Sequence, residues 1–204
     1  MTMGATRFKG VIKMTFLPSD YKEPDTGKYM KLQQGENTFR VLSEAITGME
    51  YWKEIKDGRR PIRLHPNQPV PMADLELDEE GNPKMPKHFW AFVVYNRNSE
   101  TVQILEITQS TIRRAMMSLY NNKKWGEPKD SDIRITRSGE GFDTEYTVMP
   151  EPKEGLDEGI LVIYKDMGIN LEALYDGKDP FAGEDSEKIA DEVDQGLTQQ
   201  TAAR

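Results

Sequence analysis

The sequence contains no cysteine and only two histidines, His65 and His88, in 204 residues. The absence of cysteine excludes disulfide bonds and zinc sites with cysteine ligands. Both histidines flank a proline-rich segment without a spaced carboxylate pattern beside them, so neither anchors a persuasive metal or catalytic site. We therefore expect no metal and no cofactor.

Long apolar runs are also missing. Apolar residues make up 36% of the chain and the mean hydropathy is −0.72. No stretch approaches the ~18 apolar residues that a membrane span requires, and residues 1–6 lack the apolar centre of a secretory signal. These absences predict a cytosolic protein that does not associate with membranes.

The sequence has no motif that predicts catalysis. There is no GxxxxGK[ST] phosphate-binding loop, no GxSxG motif and no nucleophile with an identifiable base. Asp78, Glu79 and Glu80 are consecutive, and three consecutive acids do not converge on one metal ion in a strand or a helix. We therefore predict a binding protein rather than an enzyme.

Acidic residues are concentrated at one end of the chain. The net charge of the whole sequence is −8, whereas residues 151–204 carry 14 acidic and 5 basic side chains, and residues 1–150 have a net charge of +1. Residues 176–204 are too polar to bury a core, which predicts a disordered acidic C-terminal tail. Residues 1–35 contain scattered charges, prolines and glycines, which predicts an N-terminal arm with little structure of its own.

The middle of the chain has the pattern of a small β-barrel with one helix. Strands are predicted at Phe89–Tyr95, Thr101–Ile107, 133–137 and 143–149, because aromatic and β-branched residues are frequent or alternate with polar ones. An amphipathic helix is predicted from Ser110, since apolar residues recur at spacings of three, four and seven. Alternation places Trp90 and Phe92 on one face of their strand, with Phe89 and Tyr95 on the other.

An earlier strand completes the pattern. It is predicted from Asn37 to Trp52 as one long strand, with Gly48 as the site of a bulge or sharp coil. Five strands with a helix after the third predict an OB-fold, a five-stranded Greek-key barrel, here over residues 36–175. Residues 56–87 are predicted to form a long proline-rich insertion between the first two strands.

Three further predictions concern the end of this domain. Pro150 and Pro152 are expected to end the pairing of the last barrel strand, because proline cannot donate to a ladder. Residues 160–164 are apolar and predict another buried strand. Residues 170–175 predict a short helix.

The aromatic and basic residues favour binding of single-stranded nucleic acid. A single strand exposes base faces and phosphates, so a nonspecific binder needs aromatic platforms, each contributing about 1–3 kcal/mol per stacked base, along a groove of lysine and arginine. Which face of each strand points inward is open at this point, and a core role is the alternative for each aromatic. The predicted DNA-binding residues are Tyr51, Trp52, Lys53, Arg59, Arg60, Arg63, Trp90, Phe92, Tyr95, Arg97, Arg134 and Arg137.

Several segments together resemble the single-stranded DNA-binding proteins that tailed bacteriophages encode for genome replication. The resemblance covers about residues 36–165 and is carried by Tyr51-Trp52, the blocks 88–95, 110–114 and 132–137, and the Gly139-x-Gly141 and Thr144-x-Tyr146 patterns. It implies an OB-fold, sequence-independent binding of single strands, no catalysis, and an acidic tail that contacts replication partners and competes with DNA. The T4-type members hold zinc through cysteines and histidine, which this chain lacks.

The same resemblance implies partners and a location. The tail is expected to contact a phage DNA polymerase, helicase or primase in the cytoplasm of an infected bacterial host, during replication, recombination or repair. Many such tails end in an aromatic residue, whereas this chain ends in Ala-Ala-Arg. Phe181, with Glu184 and Asp185, is the predicted partner-binding element at an internal position.

Two alternatives remain open from the sequence. One is an OB-fold module that binds a protein, and the other is a DNA mimic that occupies the DNA groove of another protein. A mimic would have little use for the basic pairs Arg59-Arg60 and Lys123-Lys124, whereas the nearly neutral first 150 residues are less basic than an ideal DNA binder.

Overall fold

A computed structural model describes residues 27–56, 58–122 and 124–182. These residues form eight strands: β1 Tyr29–Met30, β2 Gly35–Val41, β3 Ile46–Ile55, β4 Gly58–Leu64, β5 Lys87–Asn96, β6 Thr101–Ile107, β7 Ser131–Ser138 and β8 Glu145–Lys153. The α-helices are α1 Ser110–Tyr120 and α2 Glu158–Asp166. Short 3-10 helices span Met72–Asp74, Gly141–Asp143 and Leu171–Leu174.

The strands form one mixed sheet in the order β1-β6-β5-β2-β7-β8, with β3 paired to both β5 and β4. The β1–β6 pair is parallel and the other pairs are antiparallel. Within the described residues β1 and β8 are the two ends of this order and do not pair with each other, so the sheet is open between them. The predicted mainly β fold is confirmed.

The segment predicted as one long first strand forms two strands, β2 and β3, which pair with the same neighbouring strand, β5. β2 and β3 both pair with β5, through Val41 opposite Val94 and Ile46 opposite Ala91. Between them, Ser43 leaves the ladder and its Oγ accepts a hydrogen bond of 2.9 Å from the Val93 amide. The side chain thus replaces a backbone partner at the corner, which explains the interruption.

The predicted bulge at Gly48 is wrong. Gly48 pairs in register with Phe89 and lies within β3. A Cβ atom there would collide with the carbonyl oxygen of Leu64. Glycine is therefore needed for the close approach of two backbones and not for a bend.

Part of the predicted proline-rich insertion at residues 56–87 is regular structure. Residues 58–64 form β4 and make a hairpin with β3, with Lys53 opposite Arg60. Tyr51, Leu64 and Leu75 form a small buried cluster that holds the rest of the insertion against this hairpin.

The prolines near the end of β8 do not end its pairing. Pro150 lies opposite Ile133, and after an irregularity in register Lys153 pairs with Ser131. β8 is the last strand in the sheet order, so its outer edge needs no donors and tolerates proline.

The predicted strand at residues 160–164 is a helical segment, the middle of α2. The carboxylate of Asp157 caps this helix and accepts a hydrogen bond of 2.7 Å from the Gly159 amide. Ile160 is buried, whereas the neighbouring Val162 is 56% exposed. A short apolar run is compatible with either a strand or a helix. Here the N-terminal cap formed by Asp157 favours the helix. The short helix predicted at 170–175 is confirmed at Leu171–Leu174.

Both faces of β5 are buried. One core cluster lies between the sheet and α1 and contains Met30, Phe39, Val41, Phe92, Val94, Leu105, Ile107, Ile112, Met116, Ile133 and Ile135, with Trp90 packed against it. The other lies under the C-terminal segment and contains Phe89, Ala91, Val93, Val102, Ile104, Leu171 and Leu174, with Tyr95 packed against it. The predicted alternation of aromatics along this strand is confirmed.

The first residues of the predicted tail contact the domain. Lys28 Nζ lies 2.6 Å from Asp179 Oδ2 and 5.0 Å from the centre of the Phe181 ring. The Tyr29 and Phe181 rings meet edge to face at 6.2 Å. Residues 1–26 of the predicted arm and 183–204 of the predicted tail lie outside the described residues. No helix in the described part of the chain has the length and apolar content that a bilayer span requires.

Candidate nucleic-acid interface

The β3–β4 hairpin carries the first candidate surface, which we call the hairpin surface: Trp52, Lys53, Arg59 and Arg60. The antiparallel register pairs Lys53 with Arg60, and alternation along the strands places Trp52 and Arg59 on one face of the hairpin and Lys53 and Arg60 on the other. Trp52 is 47% exposed, and the Arg59 guanidinium lies 5.7 Å from the centre of its ring. The exposed indole and the stacked guanidinium offer a base-stacking platform with a cation beside it.

Carboxylates neutralise most of the charge on the hairpin surface. Arg59 makes two hydrogen bonds to Glu76, of 2.9 and 2.6 Å, and Lys53 Nζ lies 2.9 Å from Asp74 Oδ2. Desolvation tends to raise the pKa of Glu76, but hydrogen bonds from Arg59 and Lys84 outweigh it. The pKa of Glu76 is therefore lowered, which keeps the carboxylate ionised. Arg60 is exposed, and no described carboxylate forms an ion pair with it.

Two predicted DNA-binding residues of this region are buried. Tyr51 is 6% exposed, and its hydroxyl lies 3.5 Å from Asp74 Oδ2. The Arg63 side chain is 10% exposed, and its Nη2 lies 2.6 Å from Glu106 Oε2. Neither side chain offers a base or a phosphate an accessible face, which corrects both predictions.

Arg63 belongs to a buried cluster of charges at the base of the hairpin. Its Nε lies 3.3 Å from Glu50 Oε2, and Glu50 is 6% exposed. Burial, followed by the neighbouring Glu106 carboxylate, raises the pKa of Glu50 to about 8, against the opposing charges of Arg63 and Lys87. Glu50 is therefore mostly protonated at neutral pH.

The aromatic residues of β5 have unequal access to solvent. Phe92 is 2% exposed in the core, so the prediction that it stacks on DNA is corrected. Tyr95 is half-buried, and the Arg97 guanidinium lies 5.2 Å from its ring centre. Arg97 is also held by Asp132, at 2.8 Å. Trp90 is half-buried and borders an open groove.

The two predicted arginines of β7 are engaged by the sheet itself. Arg134 lies between Glu36 and Glu151, at 3.2 and 3.1 Å. Arg137 donates a hydrogen bond of 3.1 Å to the Leu32 carbonyl, which fixes residues before β2 to the end of β7. These contacts support a structural role and leave part of each side chain exposed.

A groove between α1 and the β3–β5 pair forms the second candidate surface, which we call the helix groove. Its lining residues include Thr47, His88, Trp90, Arg113, Arg114, Met117 and Tyr120. It continues into a depression of about 360 Å³ that reaches Phe92, Glu127 and Lys129. This volume lies within the range of roughly 300–1,000 Å³ found for small-molecule sites.

The periodicity of α1 explains which side chains line the groove. Ile112 and Met116, four residues apart, point into the core. Arg113, Met117 and Tyr120 are spaced by four and three residues and therefore share a neighbouring face. Tyr120 is 53% exposed and Met117 is 44% exposed. The groove thus has an aromatic side chain from the helix and another, Trp90, from the sheet.

The two arginines of the helix groove have no carboxylate partner among the described residues. Arg114 donates a hydrogen bond of 3.3 Å to the Ser110 carbonyl, within its own helix. The Nε of Arg113 is buried and makes no hydrogen bond. Burial and the adjacent Arg114 lower the pKa of Arg113. Burial and the charge of Arg113 also lower the pKa of His88. These effects indicate a locally uncompensated positive charge that would attract an anion.

Sequence reasoning missed the helix groove. Arg113 and Arg114 were part of the predicted helix, and Tyr120 follows Arg113 at a spacing of seven, which places them along one side. The helical spacing of Arg113 and Tyr120 could therefore have been recognised in the sequence. The packing of α1 against β5, whose Trp90 completes the groove, could not be predicted from local patterns.

The chain is similar in sequence to a bacteriophage protein. It is 27% identical over 142 residues to the "Probable ssDNA-binding protein" of Escherichia phage T5, and the match covers 61% of this chain and 55% of that protein. The chain thus spans about half the length of this relative. No family model matches the sequence, and no solved structure matches it.

Among the described residues, no group of three or more histidine, aspartate or glutamate side chains converges as a metal site. The candidate surfaces are therefore described by aromatic rings, cations and their carboxylate partners. The relative is named for binding and not for catalysis.

Proposed function

We propose that this protein binds single-stranded DNA without sequence preference. The observation that carries the proposal is Trp52, which exposes 47% of its surface beside the guanidinium of Arg59. The cations Lys53 and Arg60 are paired with each other on the other face of the same hairpin. An exposed ring next to cations suits any base, because every base has a π-face. The name of the phage T5 relative supports the same ligand.

We propose that the sheet is an OB-type barrel with an additional hairpin. Three observations support this: β5 and β6 follow the interrupted strand β2–β3, α1 separates β6 from β7, and β7 returns to pair with β2 before β8. On this interpretation β3–β4 extends the loop between the first two barrel strands. OB-folds commonly bind oligonucleotides through that loop.

The proposed role is protection and organisation of single strands in phage DNA replication, recombination or repair. The C-terminal residues 183–204, with six acidic and two basic side chains, would compete with DNA for the cations and contact a polymerase, helicase or primase. Glu184 and Asp185 are the proposed partner contacts. Phe181 packs beside Tyr29 and Lys28, so its use by a partner would require it to leave that site.

The test of the proposed function is a titration with fluorescent oligo-dT of about 20 nucleotides, beside a duplex of similar length, at low and at physiological salt. We expect binding to the single strand alone, with affinity that falls as salt rises because each counterion released from the DNA then gains less entropy. Tryptophan fluorescence should be quenched as bases stack. No binding of oligo-dT at either salt would contradict the proposal and favour a protein-interaction module or a DNA mimic.

The role of the tail is tested by a chain that ends after Ala182. This end point keeps the contact between Lys28 and Asp179 intact. We expect tighter binding of oligo-dT at low salt and a smaller difference at high salt, where the acidic residues are screened. Equal affinity of the two chains at low salt would contradict competition by the tail.

A further inference from the structure

We infer that the helix groove is a second contact site for the same single strand, in which bases stack on Trp90 and Tyr120 while Arg113 and Arg114 bind the phosphates. This inference rests on the proposed function, because it names a site for the same ligand. The groove is separate from the hairpin surface in sequence and is lined by α1 and the start of β5.

The aromatic side chains of the groove are available from its open side. Tyr120 is 53% exposed at the end of α1, and Trp90 is half-buried on the strand that faces the helix. Neither ring is stacked on another ring among the described residues. Met117 on α1 lines the same groove and is 44% exposed, so it adds a polarizable apolar surface. A base that enters therefore finds apolar walls on both sides.

The charges of the groove favour a phosphate. Arg113 and Arg114 have no ion pair in the described part of the chain, whereas Arg40, Arg59, Arg63, Arg97 and Arg134 each have one. The buried Nε of Arg113 lacks an acceptor. A phosphate bound between the two guanidinium groups would reduce the repulsion between their positive charges. His88 beside them is an additional donor for an anion.

The carboxylates at the far end of the groove determine how a bound nucleotide is oriented. Glu44 and Glu127 line the depression beyond Trp90, together with Lys129. Their carboxylates would repel a phosphate, so the backbone of the strand is placed at the arginine end and the base points toward Phe92 and Pro128. This polarity suits a nucleotide better than an apolar peptide helix, which would leave both arginines without a partner.

The groove also favours a single strand over a duplex. Trp90 lines a concave surface between a helix and a sheet, so a ring that stacks on it must enter as an isolated base. Bases in a duplex are already stacked on their neighbours and would have to be unstacked at a cost of a few kcal/mol. An unpaired strand offers its base faces without most of that cost.

The test uses the full chain with Arg113→Ala and Arg114→Ala combined, Arg114→Glu alone, and Tyr120→Ala. Oligo-dT binding is measured across a salt series for each. We expect the double variant to reduce the slope of log affinity against log salt by roughly 1.4, since each lost phosphate contact accounts for about 0.7. Tyr120→Ala should weaken binding roughly 5- to 150-fold, the range for one stacked base, and leave the salt slope unchanged.

Lys165→Ala is the matched control, because Lys165 is an exposed cation on the other helix, α2. Arg114 is itself exposed, so Arg114→Glu should keep the thermal unfolding temperature of the parent and serve if the double variant is destabilised. If the parent chain binds and all three groove variants bind like Lys165→Ala, the inference is overturned and the proposed function stands. If the parent chain does not bind oligo-dT, the proposed function itself fails.

Discussion

The hairpin surface and the helix groove contain the same kinds of side chain but differ in charge compensation. On the hairpin, Arg59 is bound by Glu76 and Lys53 by Asp74, at 2.6 and 2.9 Å. In the groove, Arg113 and Arg114 have no such partner among the described residues. A surface ion pair contributes only about 0–1 kcal/mol to stability. Its cation is nevertheless already bound to a carboxylate, so a DNA phosphate must compete for it.

The comparison shows that clustering of basic residues in a sequence is a poor measure of available positive charge. Arg59-Arg60 is the more conspicuous pair because it follows Lys53 and Lys56. The carboxylates that neutralise Arg59 and Lys53 come from residues 74–76, beyond the end of the hairpin. In contrast, α1 contains no acidic residue at all, so its two arginines gain no partner within the helix.

The largest expected effect comes from a substitution that breaks the hairpin. Gly48→Ala places a methyl group against the Leu64 carbonyl, so β3 and β4 must separate or β3 must shift on β5. We expect the free energy of unfolding to fall by about 1–3 kcal/mol or more. Urea unfolding followed by circular dichroism measures it.

Gly155→Ala is the control for this substitution, because a Cβ at Gly155 meets no atom within 4 Å. It should leave the free energy of unfolding within about 0.5 kcal/mol of the parent. Equal stability of the two variants would show that the β3–β4 contact at Gly48 is looser than described.

A smaller effect concerns the buried charges beneath the hairpin surface. Because the folded-state pKa of Glu50 is raised from 4.5 to about 8, the folded protein binds a proton that the unfolded chain releases above pH 4.5. The associated stability is complete below about pH 4.5 and is lost as the pH rises toward 8. Glu50→Gln, which imitates the protonated carboxyl, should remove this loss, so that its free energy of unfolding falls less than that of the parent between pH 4.5 and pH 8.

The measurement is the free energy of unfolding of both proteins at intervals from pH 4.5 to pH 8. The difference between them isolates Glu50 from other titrating groups. A difference that stays constant with pH would mean that Glu50 is ionised in the folded protein, held by Arg63 and Lys87 against Glu106.

The smallest effect comes from making the hairpin surface resemble the helix groove. Glu76→Gln releases Arg59 and Lys84, so both cations become available to phosphates. We expect oligo-dT to bind roughly two- to fivefold more tightly, with a salt slope steeper by about 0.7 for each new phosphate contact. A salt series with fluorescent oligo-dT checks both quantities.

Glu158→Gln on α2 removes the same negative charge without an ion pair to release, and serves as the control. It should change the affinity less than Glu76→Gln does. If the two variants gain equally, net charge alone determines the affinity and pairing at the hairpin surface is irrelevant.

Local patterns were sufficient to predict several elements. β6 and α1 begin where the sequence predicted, because Thr101–Ile107 is rich in β-branched and apolar residues and ends before a helical repeat of apolar residues. The apolar run at 160–164 was not decidable in this way. Its outcome depended on the Asp157 cap and on a sheet face already covered by residues 171–174.

The candidate residues were predictable by type but not by accessibility. Trp90 and Phe92 share one face of β5, as alternation requires, but only the packing of α1 leaves Trp90 at a groove and Phe92 in the core. Arg63 was predicted as a DNA contact because it follows Arg59 and Arg60. Its partner Glu106 lies 43 residues away in sequence, and only the folded sheet brings them together.

The most direct test of the central claim uses the three tryptophans as separate reporters. Trp52→Phe with Trp125→Phe leaves only Trp90 in the groove, and Trp90→Phe with Trp125→Phe leaves only Trp52 on the hairpin. Each protein is titrated with unlabelled oligo-dT while binding is followed independently by sedimentation. We predict that oligo-dT quenches the emission of both tryptophans. When Arg113→Ala and Arg114→Ala are added to the protein that keeps only Trp90, the quenching of Trp90 should disappear. Binding with an unchanged Trp90 emission would contradict a strand seated in the helix groove.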